Sequence, residues 1–329
     1  GNLVSIFGKT VIDIRLTKNK KFIEILLSER DLPELIKFDS LLNKLSTPYS
    51  FLIGESLETV LSQEIMHLPH LLIAGTSGGG KSNFFRQAIV GLLKSSPHLQ
   101  LYLLDLKKGI EVVEFQDLPN VRIAADEVAA VQILKSVHAE MEKRFLYLKE
   151  NKKKKIDPII DQKDLIVVAI DEASILFGKE RADSEKKELI QEAQKYVDEL
   201  SKLARASGIH LILATQKPVK EAIDTKVLEN LQGRMVFKMM STAGSNVALG
   251  NKHAQDLDSI RGRGIWQNGN EEIEVQTPFI TDMEVEGYVE QIKEEFKNGS
   301  RKLLTKMIKT TDEEMKNDDE NLKSVEKFG

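Results

Sequence analysis

The sequence predicts an α/β fold: a mostly parallel central sheet flanked by helices, with a small β-rich subdomain ahead of it. Three observations carry that expectation. Short, continuous apolar runs at 71–74, 101–104, 121–124, 165–170 and 210–214 read as strands buried on both faces, as a parallel sheet between helical layers requires. Between them, 83–94, 126–150 and 186–206 carry apolar residues at three-to-four spacing, the period of amphipathic helices. Ahead of them, Val4, Ile6, Val11, Ile14 and Leu16 recur near period two, the period of a strand.

In chain order, a second strand-like run, Phe22, Ile23, Ile25, Leu26 and Leu27, follows a polar turn at 17–21. The stretch to Leu68 is mixed and closes at Pro69, where the alternation of apolar runs and helices begins. After Gly233, residues 235–239, 264–266 and 273–275 predict further strands. From Asn298 onward Lys, Glu, Asp and Asn surround a few apolar residues, the composition of a mobile helix or a linker. The expected division is 1–53 for the β-rich subdomain, 54–285 for the main α/β domain, and 286–329 for a charged terminal helix or tail.

Composition narrows the function classes. With 329 residues, 41% hydrophobic and 30% charged, the chain suits a globular protein able to bury a full core. No run approaches the ~18 apolar residues of a membrane span, and the start lacks the layout of a signal peptide. Cysteine is absent, which excludes disulfides and thiolate–zinc sites. A start at Gly1 in place of Met fits excision from a longer protein, so a membrane-anchored segment elsewhere stays open. A net charge of −4 gives the whole chain no electrostatic claim on nucleic acid; any such contact must come from local basic loops.

Gly75-Thr76-Ser77-Gly78-Gly79-Gly80-Lys81-Ser82 fits Gly-x-x-x-x-Gly-Lys-Ser, with an apolar strand before it and a helix after. That spacing makes a phosphate-binding loop. Glycines at 78, 79 and 80 let the backbone wrap phosphates with its N–H groups inward, and the following helix, entered at Asn83, offers its positive end. Lys81 is placed for the β- and γ-phosphates of ATP, and the Ser82 hydroxyl for Mg2+. The alternative is an ordinary glycine-rich turn.

Residues 165–170 lead an apolar strand into Asp171 and Glu172, at the strand end where ligands of open α/β sheets bind. Asp171 is expected to hold magnesium, through water, and Glu172 to act as general base. The alternative is two polar residues where a strand leaves the core. A third strand ends in Thr215-Gln216, with Pro218 stopping further pairing. An amide at Gln216 either senses the γ-phosphate and the lytic water or is a satisfied loop residue. His210, within the apolar run, reads as a packed core histidine.

Together these residues resemble the motor domain of the FtsK/SpoIIIE family of DNA translocases. The likeness extends to Asp105-Leu106-Lys107, where the family has Asp-x-Lys, and to Glu140-Met141-Glu142-Lys143-Arg144-Phe145. It continues through the run from Ala204 to Gln216, Gly233-Arg234, and Gly262-Arg263-Gly264, covering roughly residues 54–279. The resemblance implies a RecA-like domain that assembles as a six-membered ring around DNA, with ATP between neighbours and an arginine supplied in trans. Arg205, Arg234 and Arg263 are the candidates; structural ion pairing is the alternative for each. Gly244-Ser245-Asn246 departs from the family's Asp-Ser-Arg, so an arginine there is gone.

The basic run at 152–155 fits either a DNA-phosphate contact or a solvated loop, and the loop at 178–184 could equally face a channel. The functional expectation is an ATP-hydrolysing DNA translocase ring, for chromosome or plasmid movement or for conjugation. Its place would be the bacterial cytoplasm, or the cytosolic part of an inner-membrane protein. An FtsK-like secretion motor acting on proteins is the alternative. A nucleotide switch that hardly hydrolyses is the third reading, and Glu172 weighs against it.

Overall fold

A computed structural model describes residues 10–16, 21–28, 30–45, 47–68, 70–107, 109–177, 184–216, 218 and 225–308. The chain begins with an antiparallel hairpin, β1 (Thr10–Leu16) and β2 (Ile23–Ser28), which forms a small sheet of its own. All other described strands join one sheet. They are β3 (Ser50–Glu55), β4 (Val60–Glu64), β5 (His70–Ala74), β6 (Leu99–Asp105) and β7 (Val121–Ala124), then β8 (Leu165–Asp171), β9 (Ile209–Thr215), β10 (Gly233–Phe237), β11 (Arg263–Asn268) and β12 (Glu271–Gln276). Their order is β4-β3-β12-β11-β10-β5-β9-β8-β6-β7. From β10 to β7 every pairing is parallel; from β10 outward to β4 every pairing is antiparallel.

The helices are α1 (Phe38–Leu41), α2 (Lys81–Ser95), α3 (Glu127–Glu150), α4 (Ala173–Phe177), α5 (Ser184–Leu203), α6 (Thr225–Asn230), α7 (Thr242–Leu249), α8 (His253–Asp256) and α9 (Asp282–Lys297). Helices α2 and α9 cover one face of the sheet, burying Phe84, Ile89, Leu92, Val289 and Ile292. Helices α3 and α5 cover the other, through Leu134, Val137, Met141, Val197 and Leu200. Strand β8 shows why the apolar runs are unbroken. Leu165, Val167 and Ala169 enter the first core, and Ile166, Val168 and Ile170 the second. Arg144 of the Glu-Met-Glu helix is buried as a staple, donating to Glu140 and to the Ser207 and Asp164 carbonyls.

Two expected boundaries fall inside elements. A division at 53/54 cuts β3, whose Phe51, Leu52 and Ile53 need burial on both faces and find it in the large sheet. One at 285/286 cuts α9, which starts earlier through the capping box of Thr281 and Glu284. Beyond α9 the chain is docked over its described length. Arg301 donates to the Leu93 and Ser96 carbonyls at the end of α2. Buried Asp164 accepts from the Leu304 and Thr305 N–H groups and the Thr305 hydroxyl. No helix among the described residues is long and apolar enough to cross a membrane.

Candidate active site

The parallel pairing of β5, β9 and β8 brings three strand ends, and the loops after them, to one edge. The glycine loop leaves β5 there and is held from three sides. Gly75 N–H donates to Thr215 O, Thr76 N–H and hydroxyl donate to Lys238 O, and Gly79 O accepts from Gly262 N–H at 2.9 Å. Gly75 cannot carry a side chain, because a Cβ would meet Phe237 Cβ at 2.7 Å. Gly80 has φ 118° and lies against Gly262, so an alanine there would be both strained and blocked.

Lys81, the first residue of α2, is buried and donates to Asp171 Oδ1 at 2.8 Å. Glu172 follows on a left-handed backbone, φ 56°, an uncommon shape for a non-glycine residue that turns its carboxylate toward the end of β9. Its Oε1 accepts from Ser174 Oγ at 2.6 Å, the Gln216 N–H at 3.0 Å and Thr215 Oγ1 at 3.2 Å. Burial pushes the Glu172 carboxyl up. The Ser174 and Gln216 hydrogen bonds and the Lys81 and Lys107 charges outweigh that and hold it below the usual carboxylate range. Ser77 Oγ donates to Gln216 Oε1 at 3.0 Å. Loop, acid pair and Thr-Gln pair therefore form one connected cluster.

The donors present fit a Mg2+–triphosphate. Gly80, the residue that caps α2, brings no side chain to its end, leaving the first N–H groups of the helix at a cleft of about 240 Å³ lined by Ser77, Lys81, Ser82, Glu111, Gln216 and Arg261. Asp171 Oδ2 and Glu172 Oε2 are buried and accept no well-formed hydrogen bond, facing the Lys107 ammonium at 3.6 and 3.3 Å. Gly80, Asn83 and Arg261 also line an adjoining hollow of about 520 Å³ that reaches Leu35 and Phe279, room for the nucleoside end. Ser82 and Asp171 are the residues that would hold the metal. The Asn83 side chain is engaged elsewhere, clasping the Ile280 backbone through both its amide atoms, so only its N–H is left for phosphate.

The three arginines do not converge on this cluster. Arg234 donates to the carbonyls of Leu228, Leu231 and Ala248, and buried Arg263 to Gln276, Glu274, Leu32 and Pro33. Both guanidiniums act inside the fold. Arg205 is exposed, ahead of β9 at the opposite edge. His210 is buried beside His70, as a core histidine. Of the basic run, Lys153 pairs with Asp161 and Lys154 and Lys155 face solvent. Most of the loop at 178–184 lies outside the described residues. Lys107 and Arg261 also border the site, and neither carries a role in the motifs above. Lys107 was visible as the third residue of Asp-x-Lys, and Arg261 as the neighbour of Gly262-Arg263.

Fold and site together define a P-loop ATPase domain. More narrowly, residues 44–189 match the FtsK/SpoIIIE family. A DNA translocase FtsK of Helicobacter pylori is 31% identical over 87% of this chain and 33% of that protein. The DNA translocase SpoIIIE of Bacillus subtilis is 31% identical over 71% of this chain and 31% of that protein. The chain thus spans about a third of the curated relatives it matches. Among solved structures, the pCW3 conjugation coupling protein TcpA, determined with ATPγS, superposes with a TM-score of 0.76 at 23% identity, over 88% of this chain and 84% of that one. That likeness is one of fold.

Proposed function

We propose that this domain hydrolyses ATP to move DNA through the channel of a homo-oligomeric ring, a hexamer by family resemblance. One observation carries the hydrolysis: Lys81, Asp171, Glu172 and Gln216 meet in a single cluster beside the glycine loop. The names of the relatives support DNA as the substrate. In this reading the loop N–H groups and Lys81 bind the triphosphate. Ser82, and Asp171 through water, would hold Mg2+, which would supply Lewis-acid charge at the phosphates. Glu172, already ionised, accepts the proton of the attacking water, and Gln216 orients that water. Arg205 is the arginine free to reach a neighbour's site. DNA contacts would fall on phosphates, independent of sequence. The domain would work in the bacterial cytoplasm, alone or below a membrane-anchored segment of a transfer apparatus.

ATP turnover measured without DNA, with duplex and with single strands, across protein concentration, tests substrate and assembly together. A rate that DNA leaves unchanged while a ring forms would remove the translocation reading in favour of a motor acting on protein. Lys81→Ala is expected to abolish nucleotide binding, and Glu172→Gln to bind ATP without cutting it. Undiminished hydrolysis by the Glu172 variant would refute its assignment as base.

A further inference from the structure

One cation beside the acid pair has no part in that reading. Lys107 Nζ lies 3.3 Å from Glu172 Oε2 and 3.6 Å from Asp171 Oδ2, while Lys81 takes the other oxygen of Asp171. The turn that carries it is built in place. Asp105 stands in register with Asp171 on the neighbouring strand, is buried, and accepts the N–H groups of Lys107 and Glu111. Glu111 lines the cleft at the glycine loop, so this turn borders the nucleotide.

A plain salt bridge between buried acids and a lysine is the simpler account, and two observations go past it. The Lys107 side chain is still 31% exposed, unlike Lys81 at 3%. It is therefore not sealed into a structural pair. The acids it neutralises are also the pair that would border Mg2+, which brings its own positive charge. With the metal present, the ammonium is superfluous at the carboxylates, and the negative charges left for it are Glu111, whose field also acts on Lys107, and the terminal phosphate of a nucleotide in the same cleft. Two of the three arginines that sequence reasoning raised for that role are engaged inside the fold.

We propose that Lys107 is a catalytic residue acting in cis, contacting the terminal phosphoryl group as charge builds on it. The inference rests on the ATPase reading above. In the step concerned, a water oxygen bonds to the γ-phosphorus and its proton passes to Glu172. The bond to the β-phosphate oxygen breaks, and ADP leaves with the electron pair. Lys107 gives up no proton and contributes only charge.

The test compares affinities of the full chain, with Mg2+, for ATPγS and for ADP with aluminium fluoride, which mimics the transferring group. Lys107→Met is expected to leave ATPγS affinity within about 3-fold and to weaken the mimic by about 100-fold, while Lys107→Arg retains most of it. Equal changes for both ligands would overturn the proposal. Should the Met variant not fold, Lys107→Gln, which keeps a polar partner for the acids, carries the same comparison. The measurement is repeated in Glu172→Gln. A selective loss that persists there supports direct contact; one that vanishes makes Lys107 a positioning residue and sinks the assignment. Absence of ATPγS binding by the wild type would bring down the ATPase reading itself. Normal binding without selectivity would bring down only this inference.

Discussion

Gln216 bridges the glycine loop and Glu172: its side chain takes the Ser77 hydroxyl and its N–H holds Glu172. Truncation to alanine leaves the N–H and removes only the amide. Gln216→Ala should therefore keep nucleotide affinity and lower kcat by about 100-fold, the usual loss for one oriented polar group at a charged transition state. An unchanged kcat would return Gln216 to a satisfied loop residue. At this scale the sequence was informative where a motif fixes spacing, as for Lys81, Ser82, Asp171 and Glu172. It was weak for the arginines. Nothing in the sequence near Arg234 or Arg263 announces that backbone carbonyls from other elements will surround each guanidinium.

Strands β5 and β9 lie side by side and bring His70 and His210 together, with ring centroids 6.4 Å apart. Burial, reinforced by His210, pushes His70 down to about 3. An unfolded histidine titrates near 6.5, so between about 6.5 and 3 the unfolded chain binds a proton that the folded one refuses. Stability must then fall as pH falls through that window, by up to about 1.4 kcal/mol per pH unit from this group. The unfolding free energy of the wild type minus that of His70→Gln should shrink from pH 7 to pH 5; a constant difference would contradict it. The parallel strands were legible because burial on both faces leaves continuous apolar runs. The antiparallel flank was less so. The partner of β3 across the sheet is β12, and that pairing sets the membership of β3 in the sheet without leaving a local trace. Lys107 stood out as part of Asp-x-Lys, but its partner did not, since its meeting with Glu172 depends on the register of β6 beside β8.

Across the whole molecule, the cleft sits at the carboxyl edge of the parallel strands and the docked segment after α9 at their amino edge, around Asp164 and the start of β6. The two are coupled to the same helix, α2, at its opposite ends. Arg301→Met should leave the Leu93 and Ser96 carbonyls unpaired and lower stability by about 2 kcal/mol. Chemical denaturation would read this, and ATPγS affinity should not move. A matching loss of affinity would mean that the helix transmits strain between its ends. The close approach of Gly80 to Gly262 has a wider consequence. Position 262 has φ 84°, which strains any residue with a side chain, and an alanine there would also have to displace the Gln276 amide, 2.8 Å from where its Cβ would stand. Any shift there moves the backing of the phosphate cradle. A genetic screen for dead alleles should thus return two hits remote in the gene, one in the motif and one outside it, and both proteins should fail to retain ATPγS.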